Sequence, residues 1–149
     1  MPLVTLLKVV HVLAAIVAVG ANVTYGFWLA RAGRDRERLV FTIDTIRRLD
    51  RTIANPAYGI LLLTGAGMVL TGQYRFEQGW IAASLALYVL AVVIGVALFG
   101  PAVRRQLAEA ERDPASPDYA AAARRSNELG LLTTAIVVAI VVLMVAKPF

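Results

Sequence analysis

Four apolar stretches dominate this chain of 149 residues, and each is long enough to cross a membrane: Leu3 to Leu29, Pro56 to Gly72, Trp80 to Val103, and Glu128 to Ala146. A helix needs about 20 mostly apolar residues to traverse the hydrocarbon core. The second stretch is the shortest, and residues before Pro56 can extend it. A hydrophobic fraction of 59% and a mean hydropathy of +0.70 lie beyond the range of a soluble domain of this size. The expected fold is therefore an all-α membrane protein, a single four-transmembrane-helix bundle over residues 1–149, made of two hairpins.

The charge pattern orients that bundle. Arg31, Arg34, Arg36, Arg38, Arg47, Arg48 and Arg51 fall in the first connection, residues 30–55, and Arg104, Arg105, Arg112, Arg124 and Arg125 in the other long one, residues 104–127. The short connection between spans two and three has only Arg75, and the carboxyl end only Lys147. The positive-inside rule puts both long connections in the cytoplasm and both termini on the outer side. The net charge of +5 thus reports topology, not nucleic-acid binding. The first span lacks a basic cluster before it and exceeds a signal peptide's apolar core, so it is expected to remain in the mature protein. No cysteine is present, so disulfides, zinc thiolates and iron–sulfur clusters are excluded.

Within the first connection, Leu39, Ile43, Ile46, Leu49 and Ile53 recur at helical spacing. This segment could lie in the headgroup layer or continue as a cytoplasmic stalk. Asn55-Pro56 reads as an N-cap followed by proline at the first position of span two. In the second connection, a charged helix from Arg104 to Arg112 is broken at Asp113-Pro114 and Ser116-Pro117. An alanine-rich helix from Asp118 is expected to lead into span four.

Small and polar residues mark helix contacts in lipid. Span one carries such a stripe: Lys8, His11, Ala15, Ala18, Asn22 and Tyr25. Span two offers Thr64, Gly65, Gly67, Thr71 and Gly72; span three Ser84, Tyr88, Ala91 and Gly95; span four Asn127, Gly130 and Thr134. At 1.5 Å per residue, His11 lies about 12 Å below Leu3. The same count brings Tyr88 and the Gly65/Gly67 notch to its level, while Asn22, Tyr25, Asn55, Asn127 and Glu128 would form a second polar layer at the cytoplasmic end. Trp28, Trp80 and Tyr74 read as interfacial anchors. Glu128 is expected at the head of span four, favouring the helix N-terminus or pairing with Arg124 or Arg125. Asp44 and Asp50 are read as structural members of the arginine-rich connection, and Glu109 and Glu111 as part of a solvated helix.

His11 is the sole histidine. An imidazole in an apolar span costs free energy unless it has a partner, which can be a metal-bearing cofactor or a group on another helix. An interhelical hydrogen bond to Tyr88 or Ser84 would satisfy it with no cofactor. Lys8, near the helix end, can snorkel outward.

The segment Lys8-Val9-Val10-His11, the run Arg47-Arg48-Leu49 leading to Ile53-Ala54-Asn55-Pro56-Ala57, and the ending from Asn127-Glu128 to Lys147-Pro148-Phe149 resemble HemJ-type protoporphyrinogen IX oxidases. The chain is more similar still to uncharacterised small bacterial four-helix integral membrane proteins related to that family. The resemblance implies a multi-pass protein of the bacterial cytoplasmic (inner) membrane and haem b on His11, with Lys8 toward a propionate and Gly65 and Tyr88 lining the site. Span three of the oxidases has a lysine associated with activity; Ser84 stands there here, which argues against protoporphyrinogen oxidase activity. With one histidine per chain, bis-histidine ligation would need a homodimer with two protomers face to face. The alternative function is a non-enzymatic accessory or scaffold protein with a structural His11. A transporter finds little support, since neither a buried carboxylate nor a broken helix is legible. The residues identify neither a catalytic group nor a redox partner.

Overall fold

The computed structural model describes residues 2–148, so Phe149 of the carboxyl-terminal motif lies outside the described residues. The described residues form four long helices, each long and apolar enough to cross a membrane: α1 Leu3–Ala32, α2 Arg36–Leu70, α3 Gly79–Arg112 and α4 Pro117–Ala146. No strand occurs among them.

Local chemistry sets the ends. Gly33, at φ 66°, takes the left-handed turn that stops α1. Asp35 then caps α2 by accepting the Arg38 amide at 2.9 Å. Ser116 caps α4 through the Tyr119 amide at 3.1 Å, with Pro117 at the first helical position. At its other end α4 closes on Lys147, whose ammonium lies 5.0 Å from the Tyr74 ring and 5.4 Å from the Trp80 ring.

Two helices run further than the sequence suggests. Asn55-Pro56 does not start a helix: α2 continues through it, from Arg36 onward. The proline is accommodated by a π-helical turn at Asp50–Ala54, in which the Asn55 amide bonds to the Asp50 carbonyl. Pro56 has no N–H and its ring crowds the carbonyl four residues back, so a widened turn just before it relieves both problems. The same arrangement recurs in α3: a π turn at Ile94–Phe99, the Gly100 amide on the Gly95 carbonyl, then Pro101. Glu128 likewise is no helix head. Eleven residues of α4 precede it, so the N-terminal dipole is out of reach, and it makes no ion pair among the described residues.

In the spans, α1 lies along α2 and α3 along α4, and the two pairs meet where α1 touches α4. The backbones of the spanning parts of α2 and α3 do not approach closely, and the two are bridged by the Tyr88 side chain. Beyond the spans the helices continue as a stalk, where the first half of α2 packs on the end of α3. At 35 residues, α2 is about 52 Å long, well over the roughly 30 Å of hydrocarbon. The stalk has its own core of Ala32, Leu39, Ile43, Val103, Leu107 and Ala110. Leu39, Ile43 and Ile46 of the apolar stripe in the first connection are therefore covered by protein, while Ile53 stays exposed. Asp118 and the alanines after it lie in α4, as expected.

Trp80 differs from an interfacial anchor. It is buried and packs edge-on against Tyr74 with centroids 5.5 Å apart, whereas Trp28 is exposed.

Candidate functional site

His11 meets α2, not α3. Its Nδ1 lies 2.8 Å from the Thr64 hydroxyl. The same hydroxyl lies 2.6 Å from the Ile60 carbonyl, the common back-bond of a helical threonine. When its one proton goes there, the threonine oxygen accepts and the imidazole donates from Nδ1–H. A neutral ring in this tautomer keeps its lone pair on Nε2.

Gly65 makes the approach feasible. A Cβ at that position would stand 3.4 Å from His11 Cε1, so any larger group would reach the ring. Gly67, two residues on, receives Leu7, to which a Cβ would come within 3.3 Å. The glycine notch is thus filled by two side chains of α1. Thr64 is buried and His11 half-buried. Lys8 is exposed, one turn nearer the helix end, consistent with an outward-looking ammonium.

Tyr88 does not join this cluster. Its hydroxyl donates to the Tyr58 carbonyl at 2.9 Å, bridging α3 to α2. Tyr58 precedes Thr64 by six residues, roughly 9 Å of helical rise. Counting depth from Trp80 assumed that all spans begin in one plane, and the packing does not keep them level. Ser84 is 1% exposed, and its hydroxyl has no hydrogen-bond partner among the described residues. It too makes no bond to the histidine.

A second polar group lies toward the stalk. Asn22 donates to the Tyr58 hydroxyl at 2.6 Å, and Tyr25 is buried beside them. Asn55, Asn127 and Glu128 are exposed and do not contribute. Asp50 stands nearby, in the π turn that packs on α1. Thr64 and Tyr58 are the residues sequence reasoning passed over for these roles. Thr64 stood next to the notch glycine and was legible as a polar group on the right face.

The family described as predicted integral membrane protein (DUF2269) matches residues 5–148. A Helicobacter pylori (strain J99) protein named protoporphyrinogen IX oxidase is 35% identical over 104 residues, 69% of this chain and 64% of that one. The chain thus spans a little under two thirds of the length of the relative it matches. No solved structure matches the chain.

Proposed function

The chain belongs to this family of integral membrane proteins, and from that premise we propose that it binds haem b through His11 and serves a redox role in the bacterial cytoplasmic membrane. The observation that carries the reading is the contact of His11 Nδ1 with the Thr64 hydroxyl at 2.8 Å. With the Thr64 proton on the Ile60 carbonyl, Nδ1–H is the donor in that contact and Nε2 is the nitrogen left to ligate. Ligating histidines characteristically donate their other ring nitrogen to an acceptor in this way, which holds the ring's orientation and raises its basicity. The donor chemistry fits haem: a neutral imidazole, half-buried, in a chain without thiolates.

Bound haem would supply one-electron chemistry. The residues of this chain set its position. Thr64 orients the imidazole, Gly65 lets the ring lie against α2, and Lys8 offers an ammonium one turn away for a propionate. In a homodimer, His11 of another copy would supply a second imidazole to the haem. The name of the Helicobacter relative, protoporphyrinogen IX oxidase, supports a tetrapyrrole setting. Oxidase activity is not part of the proposal, because Ser84 brings no ammonium to span three. In this reading both termini and the short connection lie outside and the stalk in the cytoplasm, an orientation supported by the arginines of the two long connections.

The visible spectrum of the protein purified in mild detergent tests the reading. A Soret band is expected, lost in His11→Ala and shifted in Thr64→Val. A protein that stays colourless after haem addition would return His11 to a purely structural hydrogen bond and leave an accessory or scaffold role. Complementation of a strain lacking protoporphyrinogen oxidase is expected to fail.

A further inference from the structure

Arg104 and Arg105 on α3 and Arg124 and Arg125 on α4 stand at one height. The contact of the Phe99 ring with Gly130, where a Cβ would come within 3.3 Å, sets the register of these two antiparallel helices. Arg104 lies five residues from Phe99 on the stalk side and Arg125 five from Gly130, so each is about 7.5 Å beyond that contact. Arg105 and Arg124 are each one residue further. The turn between the helices gives the same answer: Arg104 is eight residues before the end of α3, and Arg125 eight after the start of α4. This level is fixed by a contact and a shared turn, not by counting from separate loop ends.

All four side chains are exposed and make no ion pair among the described residues. Arginines elsewhere have partners: Arg47 and Arg48 on Asp44, Arg112 on Glu109, and Arg36 on the Glu111 carbonyl. Glu128, one turn into the span, is the nearest carboxylate on α4, and it is exposed and pairs with neither arginine. The Arg104 guanidinium turns back toward the span, with Nη1 3.7 Å from where a Gly100 Cβ would stand. On the span side of this band, Val96, Leu98, Leu131 and Leu132 are exposed, as lipid-facing side chains are. The four charges therefore lie where hydrocarbon gives way to headgroups. Guanidinium groups so placed repel one another unless anions lie between them, and their planar forks take phosphate oxygens two at a time.

We propose that this arginine band binds the head of an anionic phospholipid that carries two phosphates, of the cardiolipin type. Each helix offers two adjacent arginines, and packed helices lie about 8–10 Å apart, so two linked phosphates meet two cationic centres. Basic groups between membrane helices at headgroup level recognise lipid heads of this kind. A free phosphate would engage one pair only and has no acyl chains to enter the lipid around the spans. The site involves neither His11 nor the haem reading.

Native mass spectrometry of the full chain in mild detergent, with added lipids of matched acyl chains, is the test. Cardiolipin is expected to stay bound, phosphatidylglycerol to bind about tenfold more weakly or worse, and phosphatidylcholine not to bind. Each of Arg104→Gln, Arg105→Gln, Arg124→Gln and Arg125→Gln should weaken cardiolipin binding about fivefold, the equivalent of roughly 1 kcal/mol per arginine at an anionic surface. Arg38→Gln, near the Arg36–Glu111 contact of the stalk and outside the band, should leave binding unchanged. Inorganic pyrophosphate at the lipid's concentration should not displace it. The comparison of lipids on the unaltered chain decides the matter if a variant fails to fold. Phosphatidylglycerol or phosphatidylcholine held as tightly as cardiolipin would overturn the assignment. So would cardiolipin binding that survives neutralisation of both pairs, an equal loss in Arg38→Gln, or displacement by pyrophosphate.

Discussion

The stalk and the spans are built from the same four helices by different rules. In the stalk, large side chains are buried: Leu39 and Ile43 are 2% and 1% exposed and pack on Val103 and Leu107. Each such residue gains roughly 1.5–3 kcal/mol by leaving water, so a helix face with ordinary amphipathic spacing is enough to assemble the stalk. Along α1 the order is reversed, while the α3–α4 seam also buries Ile94, Ile136 and Val137. Leu6, Val9, Leu13 and Ile16 of α1 face outward, while Ala14 and Ala18 are buried. Lipid is as apolar as leucine, so contact there is won by close approach and polar pairing. The glycine notch that seats His11 and the Gly130 position against Phe99, where a Cβ would stand 3.3 Å from the ring, are instances of that second rule.

The contrast can be broken first in the stalk. Leu39→Ala should cost about 2–5 kcal/mol, seen as a large drop in thermal unfolding temperature in detergent. Equal stability to the parent would mean that the stalk core does not hold the bundle. Next comes Gly65→Val, which drives two methyl groups toward the His11 ring and should cost about 1–3 kcal/mol as overpacking. Gly65→Ala, whose Cβ sits at ordinary contact distance, is its tolerated control. Thr64→Val removes the histidine's acceptor and should cost only about 0.6 kcal/mol, the average for such bonds in membranes. Its clearer readout is the Soret shift described above. Leu13→Ala, on the lipid face, should leave the unfolding temperature nearly unchanged, because folding moves that side chain between two equally apolar surroundings. A loss there comparable to Leu39→Ala would mean that this face is an interface and not a lipid surface.

How far these rules can be read in advance differs by residue. Leu39 and Ile43 were legible because a 3.6-residue apolar period in a polar segment has few other meanings. Whether that stripe met lipid or protein was not, since both offer an apolar surface. Ala18, Asn22 and Tyr25 were legible as an inward face from size and polarity. The partner of His11 was not. Tyr88 and Ser84 had the right chemistry and the right counted depth, but depth counted from loop ends ignores the offsets that packing introduces. Asn55-Pro56 misled for a related reason: proline fits a helix start, and equally the turn after a π bulge.

The sequence by itself determined that this chain crosses a membrane four times and which ends of the helices carry the arginines, because lipid thickness and charge placement act on composition along the chain. It also singled out His11 as a group needing a partner. Only the tertiary structure decided that the partner is Thr64, that Nδ1 is the nitrogen it engages, and that Tyr88 meets Tyr58 instead. Those outcomes depend on which helix faces meet and at what relative height, and one-dimensional periodicity has no term for either.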